Sequence, residues 1–272
     1  MRLNRVTERA PTGTEFHFVP LGDVHAGSLS CDYAHFLKVR QQIAEDEYAR
    51  WIGMGDLVEA IAPDDKRWNP KGVEQGAKDE QEAIGDWYVE KLCDMVGPIM
   101  DKCWGLADGN HEDKFNARYF TNINKRVLHE FARDDLYGEW VCGTNVRFED
   151  DNNHRCYLKV YQQHGWQAGR KDGAKVNSLA DLTGQILGFD IYLVAHSHSR
   201  FIHPYAKLTA NRAWNNEVAY DCYGAHTGAF LKTYQMNTAG YGEKKGYPPV
   251  SIGPVQFNIT TSETGVKIRG LI

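Results

Sequence analysis

Leu106-Ala107-Asp108-Gly109-Asn110-His111-Glu112 is the stretch on which the fold of this chain turns. A short apolar run, Cys103 to Ala107, leads into it and a helical pattern leaves it, so it is the corner between a strand and a helix. Sheets of α/β proteins place their chemistry at such corners, beyond the carboxyl ends of strands. Asn110 offers a neutral oxygen ligand there, and His111 an imidazole that can act as acid or base. The same arrangement, a strand pattern running into polar residues, recurs on both sides. Glu15 to Gly22 alternates and ends at Asp23-Val24-His25. Trp51 to Gly55 ends at Asp56, Arg155 to Gln163 at His164, and Asp190 to Ala195 at His196-Ser197-His198.

The intervening segments are helical. Ser30 or Asp32 can cap a helix over Tyr33 to Glu47, a long apolar periodicity covers Glu74 to Val96 before Pro98, and another covers Phe115 to Arg133. Ser178 can cap a short helix to Leu187. Val141–Phe148 and Arg155–Gln163 form a strand pair, and Phe201–Leu208, Glu217–Tyr223, Val255–Thr260 and Val266–Ile272 are further strands. The order β-α-β-α-β-α followed mostly by strands predicts one α/β domain of two sheets with helices outside, spanning 15–272. Residues 1–14, polar with Pro11 and Gly13, read as a lead-in.

With 272 residues, 42% hydrophobic and 25% charged, the composition is that of a globular enzyme. No apolar run approaches the roughly 20 residues of a membrane span. The start, Met1-Arg2-Leu3-Asn4-Arg5, lacks the apolar stretch of a signal peptide. Six cysteines without C-x-x-C spacing read as buried thiols in a reducing, cytoplasmic setting. The net charge of −5 is uneven. From residue 151 onward 13 Lys and Arg face 8 Asp and Glu, a charge of +5, which leaves 18 against 28, or −10, for the first 150. A carboxylate-rich half suits metal ligation and a basic half an anionic substrate.

Taken together, the corners hold two carboxylates (Asp23, Asp56), one amide (Asn110) and four imidazoles (His25, His164, His196, His198). Seven oxygen and nitrogen donors without a thiolate exceed one tetrahedral zinc site and suit two metals sharing a carboxylate. In Asp-x-His and His-x-His, alternate residues of an extended chain turn to one side, so both members reach a common centre. Such a pair supports in-line attack of a metal-bound hydroxide on a phosphorus ester, and His111, left over from ligation, is placed to protonate the leaving alkoxide.

In this order the motifs D-x-H, G-D, G-N-H-E, H and H-x-H resemble the calcineurin-like metallophosphoesterase superfamily, over about Asp23 to His198. The resemblance implies a four-layer α/β/β/α sandwich of two mixed sheets with both metals at one edge. It implies one divalent metal on Asp23, His25 and His198 and another on Asn110, His164 and His196, with Asp56 bridging. It makes His111 the catalytic histidine and puts Glu112 in the acidic catalytic position beside it. Manganese is the first expectation, with iron, zinc, cobalt or nickel compatible with the same donors. One departure is Ala195, where the family usually has Gly before the first histidine of H-x-H.

Beyond the ligands, Glu59 is spaced to orient one of them. The loop from Gln167 to Lys175 carries Arg170 and Lys171 as substrate-binding candidates, and His226 sits in a Gly-bracketed turn. Three function classes follow. The first is a dimetal phosphoesterase favouring diesters over monoesters such as phosphoproteins. The second is a DNA or RNA nuclease similar to repair exonucleases, with Trp68, Trp166, Tyr234, Tyr241 and Tyr247 available to stack on bases. The third is a non-catalytic scaffold on the same fold, which the full ligand set and His111 oppose.

Overall fold

Strand β2 (Glu15–Leu21) sends Phe16 and Phe18 into one apolar core and Val19 and Leu21 into another. A strand buried on both faces needs a cover on each side, and that requirement sets the layering. The computed structural model describes residues 1–165, 171–211, 213–234, 243 and 246–272. Strands β3 (Ala49–Gly53) and β4 (Cys103–Ala107) repeat the division: Trp51 and Leu106 face one core, Ile52 and Trp104 the other. Helices α1 (Tyr33–Glu45), α2 (Gln75–Asp79), α3 (Ile84–Val96), α4 (Asn110–Tyr119) and α5 (Ile123–Glu130) lie on the first side. Phe36, Ile43, Tyr88, Leu92, Phe115 and Val127 close that core.

The first sheet continues through β5 (Tyr137–Glu139), β12 (Gln256–Ser262) and β13 (Gly265–Leu271) in the order β13-β12-β2-β3-β4-β5. Strands β2 to β5 are parallel and β12 is antiparallel to β2. The second sheet holds β1 (Arg2–Arg9), β6 (Val141–Glu149), β7 (Arg155–Gln163), β8 (Ile191–Val194), β9 (Arg200–Ala210), β10 (Glu217–Ala229) and β11 (Gly253–Pro254). Val146, Phe148, Leu158, Val160 and Leu193 pack against Phe16, Phe18 and Trp104 of the first sheet. Tyr161 and Tyr192 on the outer face meet Leu182 and Ile186 at the end of α6 (Asp172–Gln185). The result is helices, sheet, sheet, helix: the four layers of the expected α/β/β/α sandwich, with two mixed sheets in a single domain.

Several local expectations change. The lead-in at 1–14 contains β1, an edge strand running parallel to β6 from Arg2 beside Cys142 to Arg9 beside Glu149. The long helix expected over 74–96 is broken after Asp79, because α2 folds back on α3; a Cβ on Gly76 would stand 2.6 Å from Trp87 Nε1. The helix expected over 115–133 begins earlier, at Asn110, and is interrupted at Phe120, whose φ is +54°. Asn122 then caps α5 by accepting from the Lys125 N–H at 2.8 Å. Helix α6 starts at Asp172, ahead of Ser178, with that carboxylate in its first turn. No helix among the described residues is long and apolar enough to cross a membrane.

Strand β1 is fastened beyond its ladder. Asn4 Nδ2 donates to the buried carbonyl of Leu136 at 3.1 Å, a link from the second sheet to the turn that enters β5. Asn4→Ala leaves that carbonyl without its donor and is expected to cost about 1–3 kcal/mol. Urea unfolding checks this, and an unchanged midpoint would return residues 1–9 to the status of a dispensable lead-in.

Candidate metal centre

Parallel strands β2, β3 and β4 end on one edge of the first sheet, and β7 and β8 end on the same edge of the second. The five motifs sit in the turns that follow. Each turn bends within one or two residues, and the backbone records it: Asp23, His25, Asp56, His196 and His198 have φ between +49° and +64°. Non-glycine residues seldom adopt that region, and such strain concentrates at functional sites. Gly55 and Gly109 let two of the turns touch back to back. A Cβ on Gly55 would stand 2.3 Å from the Gly109 nitrogen, and one on Gly109 would stand 2.2 Å from Asp56 Oδ1. Ala195, in place of the glycine usual in the resembling family, is buried in the core between the sheets and displaces no ligand.

The expected ligands converge. Asp23 is fully buried; its Oδ2 accepts from the His196 N–H at 2.8 Å, and its Oδ1 lies 3.5 Å from His198 Nε2 and 4.0 Å from His25 Nε2. Asp56 Oδ1 accepts from the His111 N–H at 2.9 Å, while its Oδ2 lies 3.1 Å from His164 Nε2 and 3.9 Å from His25 Nε2. Asn110 Oδ1 and His196 Nδ1 approach His164 Nε2 at 3.1 and 3.3 Å. The donors form three overlapping groups, Asp23-His25-His198, His25-Asp56-His111 and Asp56-His164-His196; the outer two are the expected lobes, and Asp56 Oδ2 reaches towards both through His25 and His164.

Carbonyl and carboxylate partners fix the imidazoles. His164 Nδ1 donates to the Met54 carbonyl at 2.9 Å, and His25 Nδ1 donates to Glu59 Oε2 at 3.0 Å. A nitrogen facing an acceptor carries the proton, so both Nε2 atoms turn lone pairs to the centre. Glu59 therefore orients a ligand, as its spacing predicts. Its backbone carbonyl also accepts from His111 Nδ1, which leaves His111 Nε2 as an acceptor beside the centre, its ring edge-on to His25 at 4.7 Å.

Electrostatics follow from burying carboxylates among imidazoles. Burial alone lowers the pKa of His25, but the Glu59 hydrogen bond and the charges of Glu59, Asp56 and Asp23 outweigh it and raise the value to about 9. Burial likewise works against His164, where the charge and hydrogen bond of Asp56 prevail and raise it to about 10. For Asp56, burial pushes upward while His164 and His111 pull harder, and the carboxyl stays well below its usual range. His111 is lowered, chiefly by burial. Without cations, the centre takes up protons in their stead.

Asp23 Oδ1 and His25 Nε2 are among the buried side-chain atoms that make no hydrogen bond, and they face each other across the first lobe. A buried carboxylate oxygen and an imidazole nitrogen both lack a hydrogen-bond partner there, a cost that a cation held between them removes. Unpartnered buried atoms, borderline oxygen and nitrogen donors and locked tautomers all fit divalent metal.

Other expected residues fall elsewhere. Glu112 does not face the substrate space. Its Oε2 accepts from the N–H groups of Asp56 and Gly109 at 2.9 and 3.0 Å, and its Oε1 from Leu57 and Val58 at 2.8 and 3.3 Å. It positions the Asp56 turn against the Gly109 turn instead of taking part in chemistry. His226 is buried, its Nδ1 2.6 Å from the hydroxyl of Ser197 between the two ligating histidines. Lys171 is exposed just before α6, whereas Arg170 lies outside the described residues, as do Trp166, Tyr241 and most of 235–249. Of the remaining aromatics proposed for base stacking, Trp68 packs on the helix-side core and Tyr234 donates to the Tyr247 carbonyl. A cleft of about 490 Å³ between Ala62–Asp64, Gln81–Asp86, Phe115 and Tyr119 contains none of the expected ligands. Arg67, not singled out from the sequence, stands 3.5 Å from His111 Nε2; the charge run Asp64-Asp65-Lys66-Arg67 was the available signal.

No protein-family model matches this sequence, and no curated protein matches it. Solved structures similar to it include the calcineurin-like phosphoesterase YfkN from Bacillus subtilis, at 10% identity over 95% of this chain and 89% of that one, TM-score 0.43. Vps29 from Chaetomium thermophilum is similar at 9% identity over 94% and 97%, TM-score 0.38. A metallophosphoesterase from Sphaerobacter thermophilus is similar at 10% identity over 94% and 89%, TM-score 0.37. The paired mixed sheets and the cluster of oxygen- and nitrogen-bearing side chains at one edge are those that the motif order implies. What the centre can do rests on its own residues.

Glu112→Gln presents an amide NH₂ to backbone N–H groups that now meet a carboxylate. It is expected to lower stability by about 1–3 kcal/mol and to weaken divalent-metal retention, because the Asp56 turn loosens. Calorimetric unfolding and metal analysis after dialysis measure both; retention equal to the parent protein's would refute the positioning role.

Proposed function

We propose that this protein is a dimetal-dependent hydrolase of phosphate esters, acting on diesters before monoesters. The observation that carries the proposal is the pair of unpartnered buried atoms, Asp23 Oδ1 and His25 Nε2, within seven converging oxygen- and nitrogen-bearing side chains. Asp23, His25 and His198 would hold one cation, Asn110, His164 and His196 the other, with Asp56 between them. Two divalent cations there supply Lewis acidity towards a phosphoryl oxygen and activate water for in-line attack.

The chain's own groups do the rest. Glu59 and the Met54 carbonyl keep His25 and His164 in the ligating tautomer. Glu112 holds the Asp56 turn at fixed distance from Asn110. His111 is the acid and base of the site: Glu59's carbonyl retains a proton at Nδ1, so exchange with substrate takes place at Nε2. An anionic ester beside it favours the imidazolium, countering the burial that lowers its pKa, and the Nε2 proton then passes to the leaving oxygen. The diester preference rests on the G-N-H-E motif at Gly109–Glu112, which resembles that of phosphodiesterases.

Hydrolysis of bis-p-nitrophenyl phosphate and p-nitrophenyl phosphate by chelated and then manganese-reloaded protein tests the proposal. Diester cleavage is expected only with metal and to disappear in Asp56→Asn; His111→Ala is expected to lose about 100-fold or more on a diester with an alkyl leaving group, and less on bis-p-nitrophenyl phosphate, whose phenolate leaves without a proton. Preferred cleavage of the monoester would make the protein a phosphatase, and metal uptake without cleavage of either ester would favour the scaffold.

Metal uptake must displace the protons that His25 and His164 carry below about 9 and about 10. Affinity is therefore expected to strengthen as pH rises from neutral towards that range and to weaken as it falls. Titration calorimetry in buffers of different ionisation enthalpy reads the protons released. No release near neutral pH would contradict the protonated, metal-free centre.

A further inference from the structure

We propose that Arg67 is a substrate-binding residue that holds a non-bridging oxygen of the phosphoryl group beside His111; the assignment rests on the phosphoesterase function above and adds to it a specificity determinant outside the ligand motifs. Arg67 sits in the 61–72 loop that follows the Asp56 turn. Its guanidinium is fastened edge-on to Asp65: Nε lies 3.1 and 3.2 Å from the two carboxylate oxygens, Nη2 lies 2.8 Å from Oδ2, and the Arg67 backbone N–H adds a bond of 2.8 Å to Oδ1. That pairing uses Nε and Nη2 and leaves Nη1, which points at His111 Nε2 from 3.5 Å.

His111 Nδ1 is committed to the Glu59 carbonyl, so Nε2 presents a lone pair, and Arg67 can only donate. The two groups, 3.5 Å apart, thus flank one position, a fixed cation on one side and on the other the imidazole nitrogen that exchanges the proton. A phosphoryl group seated there places its leaving oxygen at His111 and an anionic oxygen at Nη1. The charge is permanent, and the Asp65 brace has already restricted the side chain, which is about one quarter exposed, so binding an anion orders little more. Planar N–H donors also suit the equatorial oxygens on which charge accumulates during in-line displacement.

The test uses manganese-loaded full-length protein, with bis-p-nitrophenyl phosphate as substrate and inorganic phosphate as a competing anion. Arg67→Gln is expected to lose on the order of 100-fold in kcat/KM and to weaken inhibition by phosphate about tenfold, with metal content and thermal midpoint unchanged. Arg67→Lys, which keeps the charge but not the fork, is expected to fall between the two. Added guanidinium is expected to restore part of the activity of Arg67→Ala, a result no structural role produces. Parent-level kcat/KM and phosphate inhibition in Arg67→Gln overturn the assignment while leaving the enzyme standing. A parent protein that binds metal but neither cleaves the diester nor binds phosphate overturns the function and the assignment together.

Discussion

Asp23 and Asp56 put two negative charges where almost no water reaches, and the rest of the centre is built in response. A buried carboxylate is tolerable only with hydrogen-bond donors and positive charge close by. Backbone N–H groups of His196 and His111 satisfy one oxygen of each residue. The other oxygens face imidazoles, and the pKa values of His25 and His164 rise accordingly. The same convergence of carboxylate oxygens and imidazole nitrogens is the donor set that suits divalent cations.

Holding that charge in place requires a rigid frame, which the two packed sheets provide. Intersheet packing of Phe16, Phe18 and Trp104 against Val146, Phe148 and Leu158 fixes the strand ends relative to one another. The turns are then squeezed into left-handed backbone at five ligating residues, a strain the surrounding packing sustains. Glu112 is the pin between two of those turns. Four N–H groups from two segments meet on one carboxylate, so Asp56 and Asn110 cannot move independently. Gly55 and Gly109 are required for the same reason, since any side chain at either would force the segments apart.

The 61–72 loop adds a layer that the ligand motifs do not contain. It starts from Glu59, which orients His25 through its side chain and His111 through its carbonyl, and it continues to Asp65 and Arg67. One segment thereby fixes the Nδ1 proton of His25, the Nδ1 proton of His111 and the location of a braced cation. The basic surplus lies in the second half of the sequence, whereas Arg67, the cation beside His111, comes from the acidic first half.

Much of this was legible from the residues alone. Strand signals ending at Asp23, Asp56, Asn110, His164 and His196 determine two sheets with chemistry at one edge, because apolar alternation and a polar corner are both local properties. Glu59 could be placed as an orienting residue by its spacing from Asp56. What stayed hidden depended on contacts distant in sequence. Strand β1 is polar because it is an edge strand, so only its pairing with β6 reveals it. The breaks at Glu80 and Phe120 answer to the packing of helix on helix. The role of Glu112 depends on N–H groups more than 50 positions away, which turned an apparent catalytic acid into a structural clasp. Arg67 gains its position from a fold that carries its loop back over α4. The sequence by itself determined which atoms could bind metal; the tertiary structure decided which groups face the centre, because burial, tautomer and distance exist only once the strand ends are brought together.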